Sequence, residues 1–245
     1  MRRVNIIPLA GDGKRFFDAG FKTPKPLIKV DGVSMILKSA KSLPYADLWI
    51  FICRENHLKK TDLKLELNKY FPQSIILGVD NLTDGQLSTC LIARDYLKPD
   101  DKVTIGACDN GMIYNQRKYE ILSKKYDVLI WTFRNNVSVE KNPDMYGWVK
   151  TNKDSEAISV SCKKHISKTP MRDHAVAGTF SFNKANEFLK CSDLLISKNI
   201  RVNNEFYLDL VMNECIRIGL NVLAFEVDEY FCWGTPSDLK DYRSN

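Results

Sequence analysis

The sequence predicts an α/β fold: one domain whose mixed, mostly parallel sheet is flanked by helices and carries a small antiparallel portion. Three observations predict it. Short apolar runs alternate with amphipathic stretches over residues 1–125, at the spacing of right-handed βαβ units. Over residues 126–245, half-exposed alternating runs appear, as antiparallel strands require. The 245 residues, 44% of them hydrophobic, can bury one substantial core, and no repeat, low-complexity segment or linker divides them.

Each element has its own signal. Residues 5–10 (NIIPLA) read as a strand and 34–43 (SMILKSAKSL) as a helix. The alternation continues with strand 48–54 (LWIFICR), helix 57–71 (HLKKTDLKLELNKYF), strand 74–79 (SIILGV) and helix 84–97 (DGQLSTCLIARDYL). Residues 102–109 (KVTIGACD) form a strand that stops on an acid. Residues 127–134 (DVLIWTFR) are a buried strand, and 146–152 (YGWVKTN) and 157–164 (AISVSCKK) an antiparallel pair. A mobile loop is expected at 163–174, then a strand at 175–182 (AVAGTFSF). Residues 203–219 make an amphipathic helix, with Leu208, Val211, Met212 and Cys215 on one face and Asp209, Asn213 and Arg217 opposite. Gly219 ends it. A strand at 221–227, the segment YFCWGTP and a short helix from Ser237 close the chain.

Composition excludes several classes of function. The net charge of +6 arises from 36 cations interspersed with 30 anions, without the basic blocks of a nucleic-acid-binding surface. A mild positive field does suit an anionic small substrate. Seven cysteines without a C-x-x-C pair read as small buried hydrophobes in a reducing compartment. Only His57, His165 and His174 are present, none at ligand spacing from a cysteine, which argues against zinc. No apolar stretch has membrane-spanning length, and the first is too short and polar for a leader, so a cytoplasmic protein is expected.

The chemistry concentrates in Leu9-Ala10-Gly11-Asp12-Gly13-Lys14-Arg15-Phe16 and Pro24-Lys25-Pro26-Leu27. Glycines let backbone N–H groups approach phosphates, Arg15 offers a bidentate fork, and two prolines hold Lys25 in place. A P-loop needs G-x-x-x-x-G-K-S/T, but Arg15 follows Gly13-Lys14. A dinucleotide fingerprint needs a third glycine where Phe16 stands.

The stretch closely resembles the signature of the sugar-phosphate nucleotidyltransferases: L-A-G-x-G-T/S-R-L/F, then P-K-P-L and V-x-G-x-P-M. The chain matches with Val30-Asp31-Gly32 and Met35-Ile36, while Asp12 and Lys14 depart from the usual residues. The resemblance covers most of the chain and implies a Rossmann-like, GT-A-like fold. Its nucleotide-binding half would be residues 1–125 and its acceptor-binding half 126–245. It implies triphosphate contacts from Leu9 through Lys14. It also implies base and sugar contacts from Gly85, Gln86, Ser88 and Thr89, although Thr83-x-x-Gln86 equally reads as a capping box. Asp109 would hold Mg²⁺, a hard cation suited to carboxylate oxygen. Cys232 stands where a second aspartate is usual, so that ligand would come from Asp228, Glu205 or water. Tyr146, Gly147, Gly178, Glu205 and Tyr207 would border the acceptor, with core packing the alternative for the aromatics.

The implied reaction is attack of a phosphorylated acceptor on a nucleoside triphosphate, with Arg15 and Lys25 catalytic and pyrophosphate leaving. Short members of this kind serve capsule and surface-polysaccharide synthesis, and CTP is expected over UTP or dTTP. The acceptor would be a sugar 1-phosphate or a small amine-bearing phosphate of the phosphocholine or phosphoglutamine type. Glu205 and Asp209 hint at an amine, unless both are ordinary surface acids. The expected assembly is a monomer or small homo-oligomer, without nucleic-acid or membrane partners. A GT-A glycosyltransferase is the rival enzyme, and an inactive nucleotide-binding regulatory protein the rival from another class.

Overall fold

The computed structural model describes residues 1–244. Its first half contains Arg3–Leu9 (β1), Lys14–Asp18 (α1), Lys29–Val30 (β2), Val33–Ser34 (β3), Met35–Lys41 (α2), Leu48–Arg54 (β4), Glu55–Lys60 (α3), Leu63–Tyr70 (α4), Ile75–Val79 (β5), Gln86–Leu91 (α5), Lys102–Ile105 (β6), Asn110–Ile113 (β7) and Gln116–Lys125 (α6). The second half adds Val128–Phe133 (β8), Ser138–Lys141 (α7), Gly147–Thr151 (β9), Ala157–Cys162 (β10), His174–Phe182 (β11), Ala185–Ser197 (α8), Leu208–Arg217 (α9), Val222–Glu226 (β12), Glu229–Cys232 (β13) and Pro236–Ser244 (α10).

The expected α/β architecture is present. Nine strands form one mixed sheet along the path β10-β9-β11-β6-β1-β4-β5, with β8 joined to β11 and β12. Strands β5, β4, β1 and β6 run parallel, as does the β8–β12 pair, whereas β11 runs antiparallel to β6, β8 and β9. Alternating side chains feed two cores. Val4, Ile6, Ile50 and Ile52 enter one, and Ile7, Leu9, Phe51 and Cys53 the other. Burial on both faces explains why β1 and β4 read as continuous apolar runs. No helix among the described residues is long and apolar enough to cross a membrane. All seven cysteines are free, five of them buried.

Several boundaries differ from the expected ones. The helix expected at 57–71 is broken at Thr61, whose backbone is extended and whose hydroxyl donates to the His57 carbonyl at 2.7 Å. Helix α9 starts at Leu208 rather than 203, because Asn203 and Asn204 adopt φ of 50° and 64°. Strand β6 stops at Ile105, not at Asp109. Beyond it the chain turns, with Gly106 packed against the Leu43 side chain, and β7 pairs with β13 in a small second sheet. Helices α6 and α8 lie in stretches that the sequence reading left unassigned.

Candidate active site

The parallel strands deliver their carboxyl ends, where α/β sheets bind ligands, to one rim of the molecule. There α1, Lys25, the turn before β7, the end of β10 and the entry to α9 enclose a cavity of about 240 Å³. Arg15, Lys25, Gln86, Asp109, Lys163 and Asp209 line it. A larger cavity of about 990 Å³ lies behind it, against α7 and α10, and excludes Lys25 and Asp109.

The β1–α1 loop leaves backbone donors free. Leu9 and Ala10 are buried, and Gly11 has open space where a side chain would project. Gly13 sits at φ 63°, a conformation favouring glycine, and a Cβ there would meet Lys25 Cβ at 3.3 Å. The N–H groups of Gly11, Asp12 and Gly13 donate to no backbone acceptor among the described residues. Arg15 is exposed at the cavity mouth, as is Lys14 nearby on the surface. Asp12 is exposed, with Oδ1 3.8 Å from an Arg54 guanidinium nitrogen at the end of β4.

Lys25 and Asp109 form the centre of the site. Lys25 Nζ donates to Asp109 Oδ2 at 2.6 Å and to the Gly234 carbonyl at 3.0 Å, 5.5 Å from the Phe16 ring centroid. Burial pushes the Lys25 ammonium down, but Asp109 and the flanking Cys108 and Cys232 outweigh it, leaving a net upward shift. Burial likewise pushes the Asp109 carboxyl up, yet Lys25 and Lys163 hold it below its ordinary value. Both groups are therefore charged at neutral pH.

Cys232 lies opposite Asn110 on β13, and burial pushes its thiol up to about 12, so it is a neutral neighbour of Asp109. Asp228 is not brought to the site. It is exposed beyond Glu229, the residue opposite Ile113, so roughly 13 Å of strand separates it from Cys232. Glu205 is exposed and its Cβ packs at Gly85, outside the cavity. The second carboxylate that does approach is Asp238. Its Oδ2 and that of Asp109 lie 3.7 and 3.5 Å from the point where a Cβ on Gly234 would stand. Asp238 also accepts from Thr235 N at 2.9 Å and Thr235 Oγ1 at 2.7 Å. Among the described residues no three His, Cys, Asp or Glu converge on a metal position. One or two carboxylates facing space for phosphate oxygens fit Mg²⁺, which takes few protein ligands, and do not fit a closed zinc site.

On α5 only Gln86 of the expected nucleotide residues reaches the cavity. Gly85 has φ 108°, and the position of its missing Cβ lies 2.7 Å from the Phe206 carbonyl and 2.8 Å from Phe206 N. Close packing of the chain on itself accounts for this glycine. Thr89 is buried, its hydroxyl 2.6 Å from Thr83 Oγ1 and 3.2 Å from the Gly85 carbonyl, while Ser88 is half-buried outside the cavity. The capping box does not form, since Thr83 donates to the Gly85 carbonyl instead.

Tyr146, Gly147, Gly178 and Tyr207 all line the cavity. Tyr146 also packs edge-on to Phe133 at 5.7 Å, so it serves the core and the cavity wall together. Sequence reasoning did not single out Lys163, and it left Asp209 open between an acceptor-side acid and an ordinary surface acid; both line the cavity. Lys163 has φ 56°, and its ammonium donates to the Met145 carbonyl. Asp209 is 9% exposed, and burial pushes its carboxyl up to about 6 against the pull of Lys163. Among the described residues no histidine lines the cavity.

No protein-family model and no curated protein matches the chain. Solved structures do. A nucleoside-diphosphate-sugar pyrophosphorylase from Vibrio cholerae is 20% identical over 98% of this chain and 100% of its own, with a TM-score of 0.80. An inositol-1-phosphate CTP transferase from T. maritima is 15% identical over 99% and 94%, with a TM-score of 0.74. A protein from Bacillus anthracis described as a glucose-1-phosphate thymidylyltransferase is 17% identical over 99% and 94%, with a TM-score of 0.75. At such identities the likeness is one of fold.

Proposed function

We propose that the chain is a nucleotidyltransferase that joins an NMP, from CTP in preference to UTP or dTTP, to a phosphorylated small-molecule acceptor. The observation carrying this reading is the convergence of Arg15 and the Lys25–Asp109 pair on one cavity, with the β1–α1 loop packed beside Lys25 through Gly13. An oxygen of the acceptor phosphate attacks the α-phosphorus, a P–O bond forms, the α–β P–O bond breaks, and pyrophosphate leaves with the electron pair. The attacking group is already largely dianionic, its second pKa being about 6, so no general base is needed. A cavity without histidine is consistent with that.

Positioning and charge neutralisation do the work. The N–H groups of Gly11, Asp12 and Gly13 cradle the triphosphate, Arg15 takes its oxygens from the open side, and Gln86 reads the base or ribose. Lys25 neutralises the attacking phosphate. Asp109, with Asp238 beside it, would hold Mg²⁺, which when bound neutralises charge on the phosphates. A role in capsule or surface-polysaccharide synthesis in the cytoplasm, as a monomer or small homo-oligomer, belongs to the same proposal. The CTP preference gains support from a neighbour of like fold whose description names CTP.

A pyrophosphate-release panel of nucleoside triphosphates against sugar phosphates and amine-bearing phosphates tests the reading. Pyrophosphate with one pair supports it. Release of a nucleoside diphosphate from a nucleotide sugar would instead make the protein a glycosyltransferase. Binding without turnover would leave a regulatory nucleotide sensor.

A further inference from the structure

We infer that Asp209 is the specificity-determining residue of the acceptor subsite, and that the acceptor carries a cationic nitrogen at the end remote from its phosphate. The inference rests on the nucleotidyl-transfer reading for its phosphate end and on the following observations for the other.

Asp209 opens α9 and faces the cavity, although only 9% of it is exposed. Its Oδ2 has the Cys162 thiol at 3.7 Å, a weak donor, and among the described residues no ammonium or guanidinium forms an ion pair with it. A buried charge is costly unless paired, so this carboxylate lacks a partner. The fold nevertheless makes room for it. Gly147 on β9 has no side chain where a Cβ would fall 2.8 Å from Asp209 Cγ. The upward displacement of its carboxyl has the same origin: burial exceeds the pull of Lys163.

The other charges of the cavity are Arg15, Lys25 and Lys163 against Asp109 and Asp238, but Asp109 is paired with Lys25 and Asp238 accepts from Thr235. Lys25 and Arg15 lie at the phosphate end, and Lys163 acts on both Asp109 and Asp209 without bonding to either. A cavity that offers Arg15 and Lys163 to a phosphate and holds one carboxylate without a direct ion-pair partner matches a zwitterion, a phosphate monoester bearing an ammonium group. A neutral polyol phosphate would satisfy lone pairs on Asp209 but leave its charge uncompensated.

The test compares phosphoethanolamine and phosphocholine with glycerol 3-phosphate and glucose 1-phosphate, for the wild type and for Asp209→Asn. Calorimetric binding and steady-state turnover with CTP and Mg²⁺ are both read. The wild type should prefer the amine-bearing phosphates at least tenfold. Asp209→Asn should raise KM and Kd for them at least tenfold, while its affinity for CTP stays within twofold and its Tm at pH 7 equals or exceeds the wild type's. Gly147→Ala, which displaces the carboxylate, should erode the same preference. Equal or better use of the neutral phosphates, or an Asp209→Asn variant with unchanged preference, would overturn the inference and leave the reaction class standing. Tight, Asp209-dependent binding of an amine phosphate with no pyrophosphate from any triphosphate would support the inference while sinking the reaction class.

Discussion

Replacing Lys25 with methionine keeps the length of the side chain and removes its charge. In the intact chain Nζ lies 2.6 Å from Asp109 Oδ2, with the two side chains 19% and 28% exposed. Breaking a fully buried ion pair by deleting one partner costs about 3–5 kcal/mol, and exposed pairs contribute about 0–1 kcal/mol. This pair lies between those limits, so a loss of about 2 kcal/mol is expected, or ~4–8 °C in Tm for a chain of this size. The effect has a signature in pH. The Asp109 carboxyl lies below its ordinary value in the folded chain and the Lys25 ammonium above its own. The pair's contribution is therefore complete between about pH 4 and pH 10, the ordinary values of the two groups. It is lost as pH falls through the folded Asp109 value, and on the alkaline side as pH rises through the folded Lys25 value. In Lys25→Met the stranded carboxylate titrates upward, so the gap between variant and wild type should narrow as pH drops from 7 toward 4. Calorimetric melts across that range check this. Equal Tm values at pH 7, or a gap that does not change with pH, would refute the ion pair as the organiser of the site.

Arg15→Ala should lower kcat/KM about 100-fold or more while moving Tm by no more than ~1 °C, since the side chain is exposed and only its phosphate contacts are lost. Unchanged turnover in steady-state assays would remove Arg15 from the proposed machinery. Gly85→Ala should cost at least about 2 kcal/mol in urea denaturation, because φ is 108° and the new Cβ would stand 2.7 Å from the Phe206 carbonyl. An unshifted midpoint would contradict the close packing described. The thiols of Cys108 and Cys232 are each pushed up to about 12, mainly by burial. Native protein at pH 8 should thus alkylate with iodoacetamide far more slowly than a free thiol of pKa about 8.5, as read by mass spectrometry. Rapid modification of Cys232 would contradict its neutral, enclosed setting.

The strands of the first half were legible because two-sided burial writes itself as uninterrupted apolar runs, as in Ile50–Cys53 between the two cores. Helix α8 was not. Its buried face includes Cys191 and Ser192, and the Ser192 hydroxyl is satisfied by the Phe188 carbonyl at 2.6 Å, which no hydropathy pattern reveals. Asp109 was found as a candidate for a partly mistaken reason. It does not end β6 but follows a turn after Ile105 in which Gly106 packs against Leu43. Arg15 and Lys25 were legible because local motifs carry them. Lys163, Asp209 and Asp238 come from separate segments that only the folded chain brings together. Helical periodicity set Asp209 opposite the apolar face and left it open as a surface acid, yet it is buried against Gly147 of β9, whose missing side chain makes the space. Asp12, unexplained by the phosphate loop, has its counterion in Arg54 from the neighbouring strand.

The most direct measurement is incubation with α-32P-labelled CTP, Mg²⁺ and a phosphorylated acceptor, followed by separation of the products. Nucleotidyl transfer yields a labelled CDP-linked acceptor, CMP joined to the acceptor phosphate by a phosphoanhydride, with an equimolar amount of unlabelled pyrophosphate, and both vanish in Asp109→Asn. Label recovered only as CTP across the whole triphosphate and acceptor panel, or label released as CDP, would contradict it.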